Sequence, residues 1–413
     1  MIEFDPSEYI RGLQQLLISD KKKIAFLCGA GTSLSHKQSN SIYVPAVQDM
    51  TKKVEANITA EAKYQDAIQE IKAEIGQEYY NVEALLTNIE EKRNIIGNGV
   101  LNGLCKDDFD RLKEIIKNKI RELVSVHNLV TSDAEKSDLI HSDFAEWICQ
   151  ADRKYPVEIF TTNYDYLFEI GLEYKGVPYY DGFTGSFEPF FNADSVENLN
   201  FMPQQTKLWK VHGSLGWHIN ESNKKVLRRS SDKNDILIYP SVLKYANSKK
   251  QPYVSLMDRL TNFIKQPDSV LFVCGYSFGD EHINERIMTA LNSNTTAHVY
   301  VLYFDMIRED KKRQYALKED CYLSKLAKEN SKLSVFAYRN AVIGCQYGTW
   351  RLKREPDKED TIQTSLYFDE DAPIDTDAEI GEERKDNLQW TGLGEFILPD
   401  FNRFVSFLKS MIS

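Results

Sequence analysis

The sequence predicts an α/β fold: a mostly parallel sheet with helices on both faces, plus a large helical insertion. Three observations predict it. Short runs rich in β-branched and aromatic residues alternate with helical stretches from residue 157 onward, and an earlier run of the same texture lies at 24–28. Strands joined through helices give right-handed crossovers and parallel pairing. Proline is absent between Pro45 and Pro156, where apolar residues recur at three-and-four spacing among many Lys and Glu, the texture of amphipathic helices.

In chain order, residues 24–28 are an apolar run that breaks into Gly29-Ala30-Gly31-Thr32-Ser33, which reads as a strand followed by a tight turn. Helical spacing then covers 60–75, 81–96 and 109–127, with an interruption near 97–103. Strand texture returns at 157–161, 207–211, 236–239, 270–274, 298–304 and 333–337, and helical stretches at 164–174, 253–265 and 281–291 separate several of these runs. Residues 354–386 are rich in acids without apolar periodicity and read as an exposed linker. The tail recovers Trp390, Phe396, Phe401, Phe404 and Phe407, and its last part, from Asp400, reads as an amphipathic helix. The expected division is a discontinuous sheet domain (1–44 with 155–345), an insertion (45–154), an acidic linker (346–389) and a terminal segment (390–413). That segment either docks on a partner or oligomer, or packs on its own core.

Composition narrows the function classes. Hydrophobic residues make up 42% of the chain and aromatics 12%, which excludes wholesale disorder. The 51 Lys+Arg against 62 Asp+Glu leave a net charge of −11, unfavourable for a general nucleic-acid coat or an anionic membrane surface. The six cysteines are widely spaced and no CxxC pair occurs. No signal peptide is evident at the start, and no apolar run could cross a bilayer. These features predict a cytoplasmic chain with free buried thiols and no structural zinc.

Four strand ends carry groups suited to chemistry. Gly29, Ala30, Gly31 and Ser33 form a turn where backbone N–H groups could approach a pyrophosphate. Leu34 occupies the third glycine position of GxGxxG, so the common dinucleotide fingerprint fails and a tight turn without ligand competes. Asn163 and Asp165 follow the strand at 157–161. Asn offers a donor and an acceptor to ribose hydroxyls or a water, and the competing role is capping the helix near Tyr164. His212, before Gly213, could act as a general base or be a structural histidine. Gly275, Tyr276 and Ser277 could hold a phosphate, with Asp280 as the N-cap of the next helix. Gly275-Tyr276-Ser277-Phe278-Gly279 also matches GxSxG, but only His282 and His298 follow it, too early for a hydrolase order. In a parallel sheet all four ends meet at one edge, where ligands bind.

The series GAGTS, TTNYD, KVHGS and GYSFGD resembles the sirtuin-like proteins, in particular the bacterial branch of antiphage defence whose members hydrolyse NAD. The resemblance implies a Rossmann-like NAD pocket. It puts Gly29, Ala30, Gly31 and Ser33 at the dinucleotide phosphates, and Gly275, Tyr276 and Ser277 at a later phosphate or ribose loop. Asn163 and His212 match the family's catalytic pair, Asp165 its companion acid, and Asp305, loosely, its adenosine-ribose contact. Deacylating relatives carry two CxxC pairs between the catalytic His and the later loop, where this chain has only Cys274. The implied function is therefore an NAD hydrolase producing ADP-ribose and nicotinamide, with no zinc. Activity gated by assembly is implied too: a homo-oligomer with a HerA-type hexameric ATPase as partner, and no direct contact with nucleic acid or membrane. The alternatives are a non-catalytic module sensing NAD or ADP-ribose and an NAD-dependent protein deacylase.

Overall fold

The computed structural model describes residues 2–38, 41–151, 153–220, 222–231, 251–309, 312–358, 360–373 and 390–412. β1 (Ile2–Phe4), α1 (Pro6–Ile18), β2 (Lys23–Cys28) and α2 (Ala30–Leu34) come first. Six helices follow: α3 (Val47–Thr59), α4 (Ala62–Ile75), α5 (Val82–Ile95), α6 (Lys106–Val124), α7 (Asp133–Asp138) and α8 (Ile140–Gln150). Then come β3 (Glu158–Thr161), α9 (Leu167–Tyr174), β4 (Tyr179–Tyr180), β5 (Phe183–Thr184), β6 (Phe190–Phe191), α10 (Ala193–Glu197), β7 (Thr206–Lys210), β8 (Trp217–Ile219) and β9 (Val226–Arg228). The later elements are α11 (Tyr253–Lys265), β10 (Ser269–Cys274), α12 (Glu281–Ser293), β11 (His298–Leu302), β12 (Met306–Glu309), β13 (Lys312–Tyr315) and α13 (Tyr322–Glu329). The last are β14 (Leu333–Phe336), β15 (Asn340–Ile343), β16 (Gln346–Trp350), β17 (Phe368–Asp369), β18 (Glu395–Phe396) and α14 (Phe401–Lys409).

The main sheet runs β1-β16-β15-β14-β11-β10-β2-β3-β7-β4. From β14 to β4 every pairing is parallel, as the alternation of elements predicts. β15 turns back antiparallel on β14, and β16 on β15. The central strands are buried on both faces, so they read as continuous apolar runs: Ile24 to Cys28 and Val270 to Cys274 are all buried. The expected strand at 236–239 lies outside the described residues.

One face of the sheet is aromatic. Phe26 stacks on Phe272 at 5.5 Å and meets Phe144 of α8 edge-on at 5.0 Å. Phe404 of α14 completes the cluster, 6.2 Å from each of Phe26 and Phe272. The terminal helix thus spends its apolar face on its own core, through the buried Phe401, Phe404 and Phe407. On the other face Glu158 accepts two bonds from Arg259, at 2.6 and 2.9 Å, and one from Trp209 Nε1 at 2.7 Å. A buried ion pair so fully hydrogen-bonded is tolerated, and it ties β3, β7 and α11 together.

Three expectations need correction. The insertion has its own core around Ile68, Leu85, Leu86, Phe109, Leu112 and Ile116, but α8 packs into the sheet core through Phe144 and Trp147, because those rings fit Phe26. The stretch read as linker begins with β16, and Leu352, Ile362, Tyr367 and Phe368 are buried; scattered apolar residues without periodicity can still be covered as coil. All six cysteines are free as expected, but Cys105 and Cys149 are exposed. Among the described residues no helix is long and apolar enough to cross a membrane.

Candidate active site

The register of the parallel strands aligns the four sequence motifs. Cys28 is level with Cys274 on one side and Thr161 on the other, and Thr161 is level with Lys210. The segments after β2, β3, β7 and β10 therefore leave the sheet at one height. Backbone bonds continue past the strand ends, from Gly29 N to Cys274 O at 3.0 Å and from Gly31 N to Gly275 O at 2.9 Å.

The glycines are needed first for loop-on-loop contact. A Cβ on Gly29 would lie 2.5 Å from Gly275 O, and one on Gly31 would lie 2.7 Å from Gly275 Cα. Gly275 has φ +61 and would place a Cβ 2.6 Å from Thr32 N, so two features exclude a side chain there.

Asn163 is buried and its Nδ2 donates to Gly29 O (3.0 Å), Thr32 Oγ1 (3.1 Å) and Ser33 Oγ (2.6 Å). The hydroxyls pass their own protons on, Thr32 to Gly29 O at 2.8 Å and Ser33 to Asp165 Oδ2 at 2.7 Å. The donors of Asn163 are thus spent inside the protein, and its carbonyl oxygen is what it can offer a ligand. Asp165 Oδ1 accepts from Leu167 N at 3.0 Å at the start of α9. The capping role weighed for this pair falls to neither: the N-cap of α9 is Tyr166, Asp165 takes only the first helical N–H, and Asn163 fastens the glycine turn. The carbonyl of Asp165 accepts from Lys210 Nζ, and Lys210 also pairs with Glu169 at 3.0 Å.

His212 leaves the sheet one residue before Gly213, whose φ of +90 turns the chain away. Its Nε2 lies 3.2 Å from Asp280 Oδ2. The other oxygen of Asp280 caps α12, accepting from His282 N at 3.1 Å. Tyr276 spends its hydroxyl beside it, on Asp280 O and Asn284 Oδ1, both at 3.1 Å. Burial pushes the Tyr276 phenol up, so it stays protonated at neutral pH.

Two chambers open at this edge. The first, about 350 Å³, is lined by Ala30, Gly31, Ser33, Asn163, Asp165, His212, Gly275, Tyr276, Ser277 and Asp280. Its opposite wall is the insertion: Val44, Pro45, Val47, Met50, Val82, Ile120 and Val124, with Glu83. The second, about 610 Å³, shares Gly31, Gly275, Tyr276 and Ser277 with the first and adds His36, Tyr303, Phe304, Pro399, Asp400 and Phe401. The polar floor was legible as motifs. The apolar wall and the Pro399–Phe401 contribution were not; the helical periodicity marks an apolar face but not what it covers. Asp280 was legible as a cap, and its contact with His212 was not.

Asp305 departs from expectation. β11 ends at Leu302, and the buried carboxylate of Asp305 accepts from Leu317 N at 3.1 Å and Tyr338 N at 3.2 Å. It lines neither chamber. Its neighbours Tyr303 and Phe304 do, since the chain has already turned. Burial pushes the Asp305 carboxyl up to about 6. The folded chain therefore holds this proton more tightly than the unfolded one. The resulting stabilisation is full below about pH 4 and fades as pH rises through about 6. In urea titrations, the stability of wild type relative to Asp305→Asn is expected to fall across that window, by up to about 3 kcal/mol. A pH-independent difference would contradict this account.

Among the described residues no group of His, Cys, Asp and Glu is arranged to hold a metal ion. A family model for a SIR2-like domain matches residues 157–324, which supports a sirtuin-like, NAD-binding family. The match includes Asn163, Asp165, His212 and Gly275 to Ser277; the glycine turn at 29–33 and the insertion lie outside it. No curated protein matches the chain.

Proposed function

We propose that the protein is an NAD hydrolase that releases nicotinamide and ADP-ribose. The observation that supports this reading is the pair of chambers meeting at Gly31, Gly275, Tyr276 and Ser277. A dinucleotide has two bulky halves joined by a pyrophosphate, and the absence of Cβ atoms on Gly31 and Gly275 lets the backbone come close to the join. The chamber with Asn163 and His212 takes the nicotinamide riboside, and the chamber with Tyr303, Phe304 and Phe401 takes adenosine.

The bond between ribose C1′ and the pyridinium nitrogen breaks, and its electron pair leaves with nicotinamide. Positive charge then develops on the ribose, and the buried carboxylates of Asp165 and Asp280 favour it. The Asn163 carbonyl orients a ribose hydroxyl or the attacking water. His212 takes the proton released as water adds to C1′, and Asp280 holds the imidazole in place. The balance is NAD⁺ plus water giving ADP-ribose, nicotinamide and a proton.

Depletion of cellular NAD in antiphage defence, in the cytoplasm and gated by a homo-oligomer with a HerA-type ATPase, belongs to the same proposal and rests on the motif resemblance. Purified chain with NAD, alone and with its neighbouring-gene product, tests the reading by nicotinamide release. Release lost in Asn163→Ala and His212→Ala supports it; NAD binding without release in any condition overturns it and leaves a sensing module.

Asp280→Asn separates the two roles of that residue. Asn caps helices as well as Asp, so α12 is expected to persist. The charge beside His212 is lost, and kcat is expected to fall about tenfold with little change in KM, the size of one charge-assisted hydrogen bond. An unchanged kcat would remove Asp280 from the proposal.

A further inference from the structure

A third cavity, about 670 Å³, lies behind the catalytic loop, between α9, β7, the small sheet β5-β6-β9-β8 and the end of the insertion. That volume falls in the range of small-molecule sites. Its walls combine aromatic rings (Tyr166, Tyr179, Phe183, Trp217) with four cations, Lys136, Lys210, Arg228 and Arg229.

Each of the three acids in the same walls has an oxygen supplied with a donor from within the protein, while Glu169 Oε2 is buried without one. Glu169 accepts from Lys210 at 3.0 Å, Glu173 from the Tyr179 hydroxyl at 2.9 Å, and Asp181 from Arg228 and from Phe183 N at 3.2 Å. Two of the cations are held differently. Lys136 pairs with Asp133 and Arg229 with Glu188, and neither acid lines the cavity. Those acids are 81% and 46% exposed, and exposed pairs of this kind contribute little. An anion at the mouth could replace them at little cost, while an aromatic ring could lie on the inner faces.

We propose that this cavity binds a small molecule carrying a phosphate and an aromatic ring, of the nucleoside-monophosphate class, with Lys136 and Arg229 taking the phosphate. The site is joined to the catalytic one through Lys210. This buried side chain lines the cavity and donates to the carbonyl of Asp165. Asp165 in turn accepts from Ser33, which accepts from Asn163. Occupancy is therefore expected to alter nicotinamide release, a consequence that rests on the NAD hydrolase reading; binding itself does not.

Calorimetric titration of the full chain with AMP tests the site, alone and in excess ADP-ribose, which on the proposed function fills the two front chambers. One AMP is expected to bind with ADP-ribose present, and at least tenfold more weakly in Lys136→Glu/Arg229→Glu. Inorganic phosphate in place of AMP is expected to bind more weakly but with the same dependence on the two cations, which separates the phosphate from the ring. Both positions are at the surface, and a thermal melt confirms that the double variant folds. If the chain releases no nicotinamide from NAD, AMP binding that depends on Lys136 and Arg229 still supports this site while the hydrolase reading falls. No AMP binding at millimolar concentration, or binding indifferent to the two reversals, overturns the proposal.

Discussion

His212→Ala is expected to lower nicotinamide release by about two to four orders of magnitude, the usual worth of a positioned general base. NAD affinity should stay near that of wild type, because on the proposed mechanism His212 acts on a proton that moves only as the bond to C1′ breaks and re-forms. Asn163→Ala should behave differently. Its Nδ2 holds Gly29 O, Thr32 Oγ1 and Ser33 Oγ, so removing it loosens the turn that the proposed function sets against the pyrophosphate, as well as the contact it proposes to the ribose. KM is therefore expected to rise together with the fall in kcat. Steady-state release assays on the two variants, with NAD binding measured by calorimetry, separate these outcomes. Activity retained within a few-fold in His212→Ala would exclude it as the base.

Gly275→Ala is the second large effect. The new Cβ would lie 2.6 Å from Thr32 N and 2.8 Å from Gly31 Cα, at a φ of +61. The strained backbone costs about 1–3 kcal/mol, and overpacking against main-chain atoms that cannot rotate away adds about 1–3 kcal/mol. The two loops must then separate, and NAD binding is expected to fall at least tenfold along with the melting temperature. Gly176→Ala is the control. Its φ of +67 is similar, but a Cβ there meets nothing within 4 Å, so only the backbone cost of about 1–3 kcal/mol remains. Equal losses in the two variants would show that the loop contact contributes nothing.

The candidate site was half legible in the chain. Asn163, Asp165, His212 and the two glycine loops each follow an apolar run, and in a parallel sheet such ends must face one edge. Even so, the local signals misassigned some roles. Neither Asn163 nor Asp165 is the cap considered for them, because the helix begins at Leu167 with Tyr166 as its N-cap, and Asp165 takes only the first helical N–H. Asp305 was matched on its place after a strand, but β11 stops three residues short of it and the side chain turns inward. The strands β1, β15 and β16 at one end of the sheet are three to five residues long, too short to carry a periodicity that separates them from coil.

The sequence by itself determined the α/β class, the parallel central strands and the helical character of the insertion. Each of these follows from hydrophobic periodicity and turn residues within a few positions. Only the tertiary structure decided which insertion faces wall the first chamber, that the segment from Pro399 to Phe401 walls the second, and that Asp280 meets His212 at 3.2 Å. These contacts join residues tens to hundreds of positions apart. Their free energy depends on shape and burial after the layers have packed, and no local pattern encodes which apolar face meets which neighbour.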